Sequence, residues 1–268
     1  MPQSDVPGEQ AWPTQPFPVK PPPFARLSLT PDDVNPYVSA AESTRLRDML
    51  KTMRNEGIFT PPSIGGYVGV PGQFGGANWG ATAADPRTGK LYVRTTNLAT
   101  RSTLTTTPPA GERAAPETRY YGSLGSLWRS TDGLPGFGPP WSEIVAYDLN
   151  QGTIEWRAPL GVVPSLVARG ITDTGLDRTW RNGPVVTAGG LIFVGSAGDR
   201  MVHAYDKDTG KILWERELVA NPDGIPAVYE VDGKQFVVFF AGSAILAPTA
   251  VWKTSSASAQ GYYAFALR

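Results

Sequence analysis

One eleven-residue pattern occurs twice, and it is the feature that most restricts how this chain can fold. Residues 146–156 read Ala-Tyr-Asp-Leu-Asn-Gln-Gly-Thr-Ile-Glu-Trp, and residues 204–214 repeat the pattern without a gap. In each copy a strand leads into a turn with Asp and Gly, and a second strand ends in Trp. The Asp carboxylate can accept backbone N–H bonds, and Gly supplies a positive φ at little cost. Such repetition is typical of arrays of small β-units.

A second type of hairpin alternates with the first. Gly89, Gly190 and Gly233 each follow an apolar strand and open another one. Alternating hairpins produce four-stranded meanders, and 183–219 contains one complete unit. Units of this size predict an all-β fold made of β-propeller blades, each a four-stranded antiparallel sheet. The repeated Trp would lie on the outermost strand, where its indole can wedge against the next blade and donate its N–H to that blade's backbone.

The same alternation assigns the other strands. An interrupted blade has strands at 79–84, 91–96, 142–148 and 154–159, around a long excursion at 97–141. The strands expected in the other two units are 184–188, 191–196, 201–206 and 212–218, and then 227–231, 236–241 and 262–267. Residues 60–71 are a candidate for the outer strand of a preceding blade.

The number of blades predicts an incomplete propeller. Two complete blades and one that lacks a fourth strand make about three blades, whereas a closed propeller needs about four or more. An open stack would leave apolar blade faces in water. We therefore expect this chain to be the C-terminal part of a larger propeller, with the upstream blades on the same polypeptide or on a separate subunit.

The first 59 residues differ from the rest of the chain. Pro21-Pro22-Pro23 lies within a proline-rich stretch that favours polyproline II, and this stretch is either a free linker or an arm on another surface. An amphipathic helix is predicted over about 42–55, with four apolar residues on one face. These are Leu46, Met49, Leu50 and Met53. We divide the chain into an arm-and-helix region, 1–59, and a partial propeller, 60–268.

Composition excludes several classes of function. The 24 basic and 24 acidic residues balance, which argues against a nucleic-acid-binding protein. The chain has no Cys, so disulfides and thiolate chemistry are excluded, and its one His, His203, excludes a multi-His metal site. We expect His203 to be a packed or half-exposed strand residue. We find no membrane-spanning stretch and no secretory signal after Met1.

Together, these motifs resemble the pyrroloquinoline quinone (PQQ)-dependent dehydrogenases, most closely their glucose-dehydrogenase-like branch. The repeated Ala-x-Asp-x-x-x-Gly-x-x-x-Trp is similar to that family's tryptophan-docking motif. Other stretches that resemble the family are 6–9, 13–18, 55–63, 75–80 and 229–238. The resemblance covers nearly the whole chain.

The resemblance implies an eight-bladed propeller that holds PQQ on its central axis with a Ca²⁺ ion. The intact enzyme would oxidise a sugar, polyol or alcohol and pass the electrons to a quinone acceptor. It would be periplasmic or lie on the periplasmic face of the inner membrane. The family's catalytic base and metal ligands come from blades that precede the matched region. We therefore assign no catalytic residue and no metal ligand to this chain, and we expect it to be inactive alone.

The cofactor contacts that the resemblance implies are Asn78 and Trp79. A side-chain amide can donate to a quinone oxygen or a carboxylate, and an indole offers an apolar edge or a donor. The other interpretations are a turn role for Asn78 and core packing for Trp79. An alternative function is a non-catalytic β-propeller binding or scaffold module, in which the 97–141 excursion would carry recognition.

Overall fold

The computed structural model describes residues 1–73, 75–80, 82–113, 117–122, 125–176, 181–242, 253 and 257–266. Its strands are β1 (Tyr67–Gly69), β2 (Thr82–Asp85), β3 (Lys90–Thr96), β4 (Thr100–Ser102), β5 (Leu104–Thr105), β6 (Tyr121–Gly122), β7 (Ser126–Leu127), β8 (Ser142–Asp148), β9 (Thr153–Pro159), β10 (Val185–Val186), β11 (Leu191–Ser196), β12 (Met201–Asp206), β13 (Ile212–Glu217), β14 (Ala227–Val231), β15 (Lys234–Ala241) and β16 (Gly261–Ala266). The helices are α1 (Ala40–Thr52), α2 (Pro164–Val167) and 3-10 turns at Pro31–Asp33 and Ala257–Ala259. No helix among these described residues is long and apolar enough to span a membrane.

The chain divides into two compact units, and the larger one comprises residues 18–24, 76–96 and 139–268. It contains three antiparallel sheets in the strand orders β2-β3-β8-β9, β10-β11-β12-β13 and β14-β15-β16. We call these the first, second and third blades. The predicted meanders are confirmed, with four strands in the first two blades. The third has three strands among the described residues, and Leu267, the last residue of its predicted final strand, lies outside them.

The three blades stack through apolar faces. Ile144 of the first blade packs with Ile192 of the second in one buried cluster. Phe193 points to the opposite side and packs with Val237 and Phe239 of the third blade in another cluster. Successive side chains of a strand thus face different neighbours, as period-2 alternation requires. Each fully buried side chain of this size contributes roughly 1.5–3 kcal/mol to folding.

The repeated turns have the predicted conformation. One carboxylate oxygen of Asp148 accepts the backbone N–H groups of the second and third residues after it, at 2.7 and 3.0 Å. Asp206 does the same at 3.0 and 2.8 Å. Gly152 and Gly210 follow with φ of +65° and +70°. The shared motif therefore forms the same local structure in both copies.

The 18–24 segment lies on the first blade, so this part of the proline-rich region is an arm rather than a free linker. The Tyr147 hydroxyl donates to the Pro22 carbonyl at 2.7 Å. The Arg157 guanidinium donates to the carbonyls of Pro23 and Phe24 at 3.1 and 2.8 Å. Phe24 also packs against a buried cluster that contains Val145.

The smaller unit comprises residues 1–17, 25–75 and 97–138. The predicted helix is confirmed: α1 buries Leu46 and Leu50, and the Ser39 side chain caps its first turn. The excursion contributes β4–β7, and β1 joins β4 and β7 in a three-stranded sheet. Residues 60–71 are therefore not the outer strand of a blade, because strands of the excursion pair with β1. The division of the chain between residues 59 and 60 stays a prediction.

Candidate functional site at the starts of the inner strands

The site lies where the chain enters the first strand of each blade. β2, β10 and β14 are edge strands of their sheets, and β2 contacts β10. The opposite edges of the first two blades are the Trp-bearing strands, so the first strands are the inner ones that line the propeller axis. We call residues 78–80, 181–183 and 223–225 the lead-in segments.

The three lead-in segments converge closely. A Cβ atom on Gly183 would lie 1.6 Å from the Gly80 carbonyl oxygen, which no side chain could tolerate. A Cβ atom on Gly80 would lie 3.0 Å from the Arg181 carbonyl oxygen. Ile225 of the third blade lies within 3.6 Å of both of these positions. Glycine is therefore required at position 183 for the backbones of neighbouring blades to meet, and a side chain at position 80 would be crowded.

Asn78 and Trp79 occupy the first lead-in segment and precede β2 rather than lie on it. The Trp79 side chain is not part of the core, because the residue is 74% exposed. The Asn78 side-chain oxygen accepts the Trp79 backbone N–H at 2.8 Å, so it has a local turn role. The assignment of both residues to a cofactor stays a prediction.

An ion pair between the other two lead-in segments was missed by the sequence analysis. The Nη2 atom of Arg181 lies 2.7 Å from the Oδ2 atom of Asp223. The Arg181 side chain is 35% exposed and the Asp223 side chain 11%. Both residues, like Asn78, stand four positions before the first residue of an inner strand. Alignment of the blades by their strand starts would have revealed this equivalence, although the three segments share no common sequence motif.

Asn182 fixes the second lead-in segment between two blades. The residue is fully buried, and its side-chain nitrogen donates to the Gly195 carbonyl at 3.1 Å. Its side-chain oxygen accepts the Gly224 backbone N–H at 2.9 Å. Buried hydrogen bonds of this kind contribute roughly 1 kcal/mol each, and loss of one partner leaves the other group desolvated and unpaired. Asn182 therefore holds the second and third segments in register.

The side chains at this site have groups that can bind a ligand. The amide and guanidinium groups are donors for anionic or quinone oxygens, and an exposed indole is a flat apolar surface. Among the described residues, no group of three or more His, Asp or Glu side chains could hold a metal ion. His203 lies elsewhere, on β12, where burial lowers its pKa to about 4. It is a packed His, as predicted.

Comparison with known proteins identifies similar propellers. The family model described as "PQQ: Glucose/ethanol/alcohol dehydrogenase, beta-propeller domain" matches residues 1–237. Quinate/shikimate dehydrogenase (quinone) from Acinetobacter baylyi is 28% identical over 91% of this chain and 33% of its own length. Quinoprotein glucose dehydrogenase from Escherichia coli K12 is 30% identical over 90% of this chain and 32% of its own length.

A solved structure supports the fold. The crystal structure of the quinohemoprotein alcohol dehydrogenase from Comamonas testosteroni is similar with a TM-score of 0.50 and 22% identity. The match covers 75% of this chain and 27% of that one, and at this identity it shows the propeller fold alone. This chain spans about a third of the length of the curated relatives that it matches.

Proposed function

Because the chain belongs to the β-propeller family of PQQ-dependent glucose, ethanol and alcohol dehydrogenases, we propose that it forms part of the PQQ-binding wall of such an enzyme. The intact enzyme would oxidise a sugar, polyol or alcohol and pass the electrons to a quinone acceptor. The observation that carries this proposal is the convergence of the three lead-in segments. It brings together the backbone segments that carry an exposed indole, an amide and a guanidinium.

The residues at the lead-in segments fit PQQ, which is a flat fused-ring quinone with three carboxylates. The exposed Trp79 indole offers a flat apolar face. Asn78 and Arg181 carry N–H donors suited to quinone and carboxylate oxygens. Gly80 and Gly183 keep side-chain atoms away from the backbone at the axis. When bound, PQQ supplies the redox chemistry by accepting two electrons and two protons.

The chain's own residues would bind and orient the cofactor rather than transfer protons. Trp79 and Asn78 would contact it, while Asn182 keeps the neighbouring backbone segments in place. The buried clusters between blades keep water out of the wall behind the site. The catalytic base and the ligands of Ca²⁺ would come from residues outside this chain.

Further blades are part of the proposal. The face of the third blade that points away from the second exposes Tyr229, Phe240 and Tyr262. Tyr229 stacks on Phe236 at 5.3 Å, which extends this aromatic surface. Contiguous apolar surface of this kind marks an interaction site. We propose that more blades, from the same polypeptide or from a separate subunit, cover it and complete the propeller.

The test begins with the native protein, isolated from its source cells with an antibody against residues 97–141. We expect a species larger than 28.7 kDa that contains PQQ, fractionates with the periplasm or the inner membrane, and oxidises a sugar, polyol or alcohol in a dye-linked assay with Ca²⁺. The 268-residue chain alone should be inactive. A native protein without PQQ and without dehydrogenase activity would instead support a binding or scaffold module.

A pair of variants tests whether Asn78 contributes to PQQ binding. Asn78→Ala should weaken PQQ retention by the native-length protein, because an amide partner of the cofactor is lost. Asn150→Ala is the matched control, since Asn150 is an exposed residue of a repeat turn. Equal PQQ retention by the two variants would argue against the assignment of Asn78.

A further inference from the structure

Asn78, Arg181 and Asp223 occupy equivalent positions in three successive blades, four residues before β2, β10 and β14. Because propeller blades repeat around a central axis, equivalent positions lie on one ring around that axis. The ring therefore contains an amide, a cation and a carboxylate in neighbouring blades. Arg181 is the cation, and it lies between the other two.

Asp223 holds the Arg181 side chain in a defined direction. The Nη2 atom is 2.7 Å from the Oδ2 atom of Asp223, whose side chain is nearly buried. The Asp223 backbone N–H donates to the Phe240 carbonyl at 2.9 Å, which fixes this carboxylate to the third blade. A guanidinium anchored in this way loses less side-chain entropy when it binds a ligand.

The backbone of Arg181 also lies against the segment that carries the exposed Trp79 indole. About a third of the Arg181 side chain is accessible to solvent. Its backbone carbonyl lies against Gly80, the residue next to Trp79. A guanidinium binds a carboxylate through two parallel hydrogen bonds, and an indole covers a flat ring. The pair suits a flat or ring-shaped molecule that carries a carboxylate.

We propose that Arg181, oriented by Asp223, binds a carboxylate of the small molecule held at the propeller axis. This inference rests on the proposed function and adds a binding residue to it. Two sources provide the chemistry: a carboxylate of PQQ, or the carboxylate of a polyhydroxy acid substrate. A neutral sugar or alcohol offers no such group.

The test measures binding, not turnover, in the native-length protein and its Arg181→Gln variant. PQQ and its neutral trimethyl ester are titrated by quenching of Trp fluorescence, and quinate and its methyl ester by calorimetry. If Arg181 binds PQQ, the variant should bind PQQ roughly tenfold or more weakly and the trimethyl ester equally well. If it binds the substrate, PQQ affinity should be unchanged and quinate affinity should fall by a similar factor.

Two further variants control for charge and for folding. Arg216→Gln removes an exposed cation of β13 and should change neither affinity. The exchange of Arg181→Asp with Asp223→Arg keeps an ion pair in the fold but moves the cation to the next blade. This double variant should retain the melting temperature of the wild type and lose the preference for the carboxylate over the ester.

The outcomes separate this inference from the proposed function. If the wild type binds PQQ and Arg181→Gln changes no affinity, or weakens acid and ester equally, Arg181 has only a structural role and the inference is wrong. If the wild type binds neither PQQ nor quinate, the proposed function fails together with it.

Discussion

The two copies of the eleven-residue repeat share a sequence pattern but differ in what lies against their Trp residues. In the first copy, Trp156 donates its indole N–H to the Lys207 carbonyl at 3.2 Å and packs on Gly210 of the next blade. In the second copy, Trp214 is 37% exposed and makes no such hydrogen bond within the described residues. It contacts Phe265 edge-on at 5.1 Å and lines a cavity of about 360 Å³.

This difference shows which features depend on the repeat itself and which depend on the following blade. The turn and the two strands form in both copies, because their hydrogen bonds are local. Docking of the Trp needs the turn between the third and fourth strands of the following blade. The described part of the third blade ends with its third strand, β16, so the described residues contain no such turn for Trp214.

The Tyr of each copy gives the complementary comparison on the preceding side. The Tyr205 hydroxyl donates to the Pro159 carbonyl, on the outer strand of the first blade, at 3.0 Å. The equivalent Tyr147 donates to the Pro22 carbonyl of the 18–24 segment at 2.7 Å. The arm therefore provides the acceptor that a preceding blade provides elsewhere.

The largest expected effect comes from the docked indole. Trp156→Ala should lower the free energy of unfolding by about 4 kcal/mol, because it removes a packed ring and a hydrogen bond between blades. Trp214→Ala should cost about 1 kcal/mol, since that ring already borders a cavity. Urea unfolding of both variants measures the difference. Equal losses would contradict the contrast between the two copies.

The residue before the first Ala of the repeat provides the second test, because it is Val145 in the first copy and His203 in the second. Both are buried, and neither ring nitrogen of His203 has a hydrogen-bond partner in the described structure. Burial lowers the His203 pKa from 6.5 to about 4. His203 of the unfolded chain therefore takes up a proton as the pH falls below about 6.5. In the folded chain, His203 is protonated only as the pH falls to about 4.

The contribution of neutral His203 is thus complete above pH 6.5 and is lost as the pH falls through 4. The loss should reach roughly 3 kcal/mol. His203→Val copies the first repeat and should remove this part of the pH dependence. Urea unfolding at pH 7 and pH 4.5 compares the two proteins, and parallel pH profiles would show that His203 is not responsible.

The turn glycines give the third and smallest effect. Alanine at Gly152 or Gly210 is strained by roughly 1 kcal/mol because both φ angles are positive. At Gly210 the new Cβ atom would also lie 2.5 Å from the Trp156 ring, whereas at Gly152 it would meet the flexible Lys20 side chain at 3.0 Å. Gly210→Ala should therefore cost about 2 kcal/mol and Gly152→Ala about 1 kcal/mol.

A double variant identifies the cause of that difference. In the Trp156→Ala background, the additional cost of Gly210→Ala should fall to that of Gly152→Ala, because no ring remains to clash. Independent effects in this mutant cycle would mean that the glycine does not serve the docking of Trp156.

The sequence predicted the strands well wherever local repetition defines them. β8, β11 and β12 begin and end at the predicted residues, because each is bounded by a turn with a clear sequence signal. The inner strands of the first two blades were predicted too long, because β2 is Thr82–Asp85 and β10 is only Val185–Val186, whereas β14 has the predicted bounds. The close approach of neighbouring blades at Gly80 and Gly183 diverts the chain before these strands, and a single strand carries no signal of that approach.

The features that the sequence did not predict depend on contacts between segments far apart in the chain. β1 pairs with β4 of the excursion, and no local pattern marks that partner. The Arg181–Asp223 pair joins two blades and became recognisable only when the strand starts were known. Asn78 and Trp79 were found through family resemblance, which identifies residues without their geometry.

The cofactor wall at the lead-in segments is tested most directly by equilibrium binding of PQQ to the native-length protein and to its Trp79→Ala variant. Trp12→Ala is the matched control, because Trp12 is 76% exposed and Trp79 74% exposed, so neither substitution should disturb a core. We predict that Trp79→Ala weakens PQQ binding roughly tenfold or more, as loss of an aromatic contact with a flat ring can do, and that Trp12→Ala leaves it unchanged. Equal affinities in all three proteins, or no saturable binding of PQQ to the wild type, would contradict a cofactor wall at the lead-in segments.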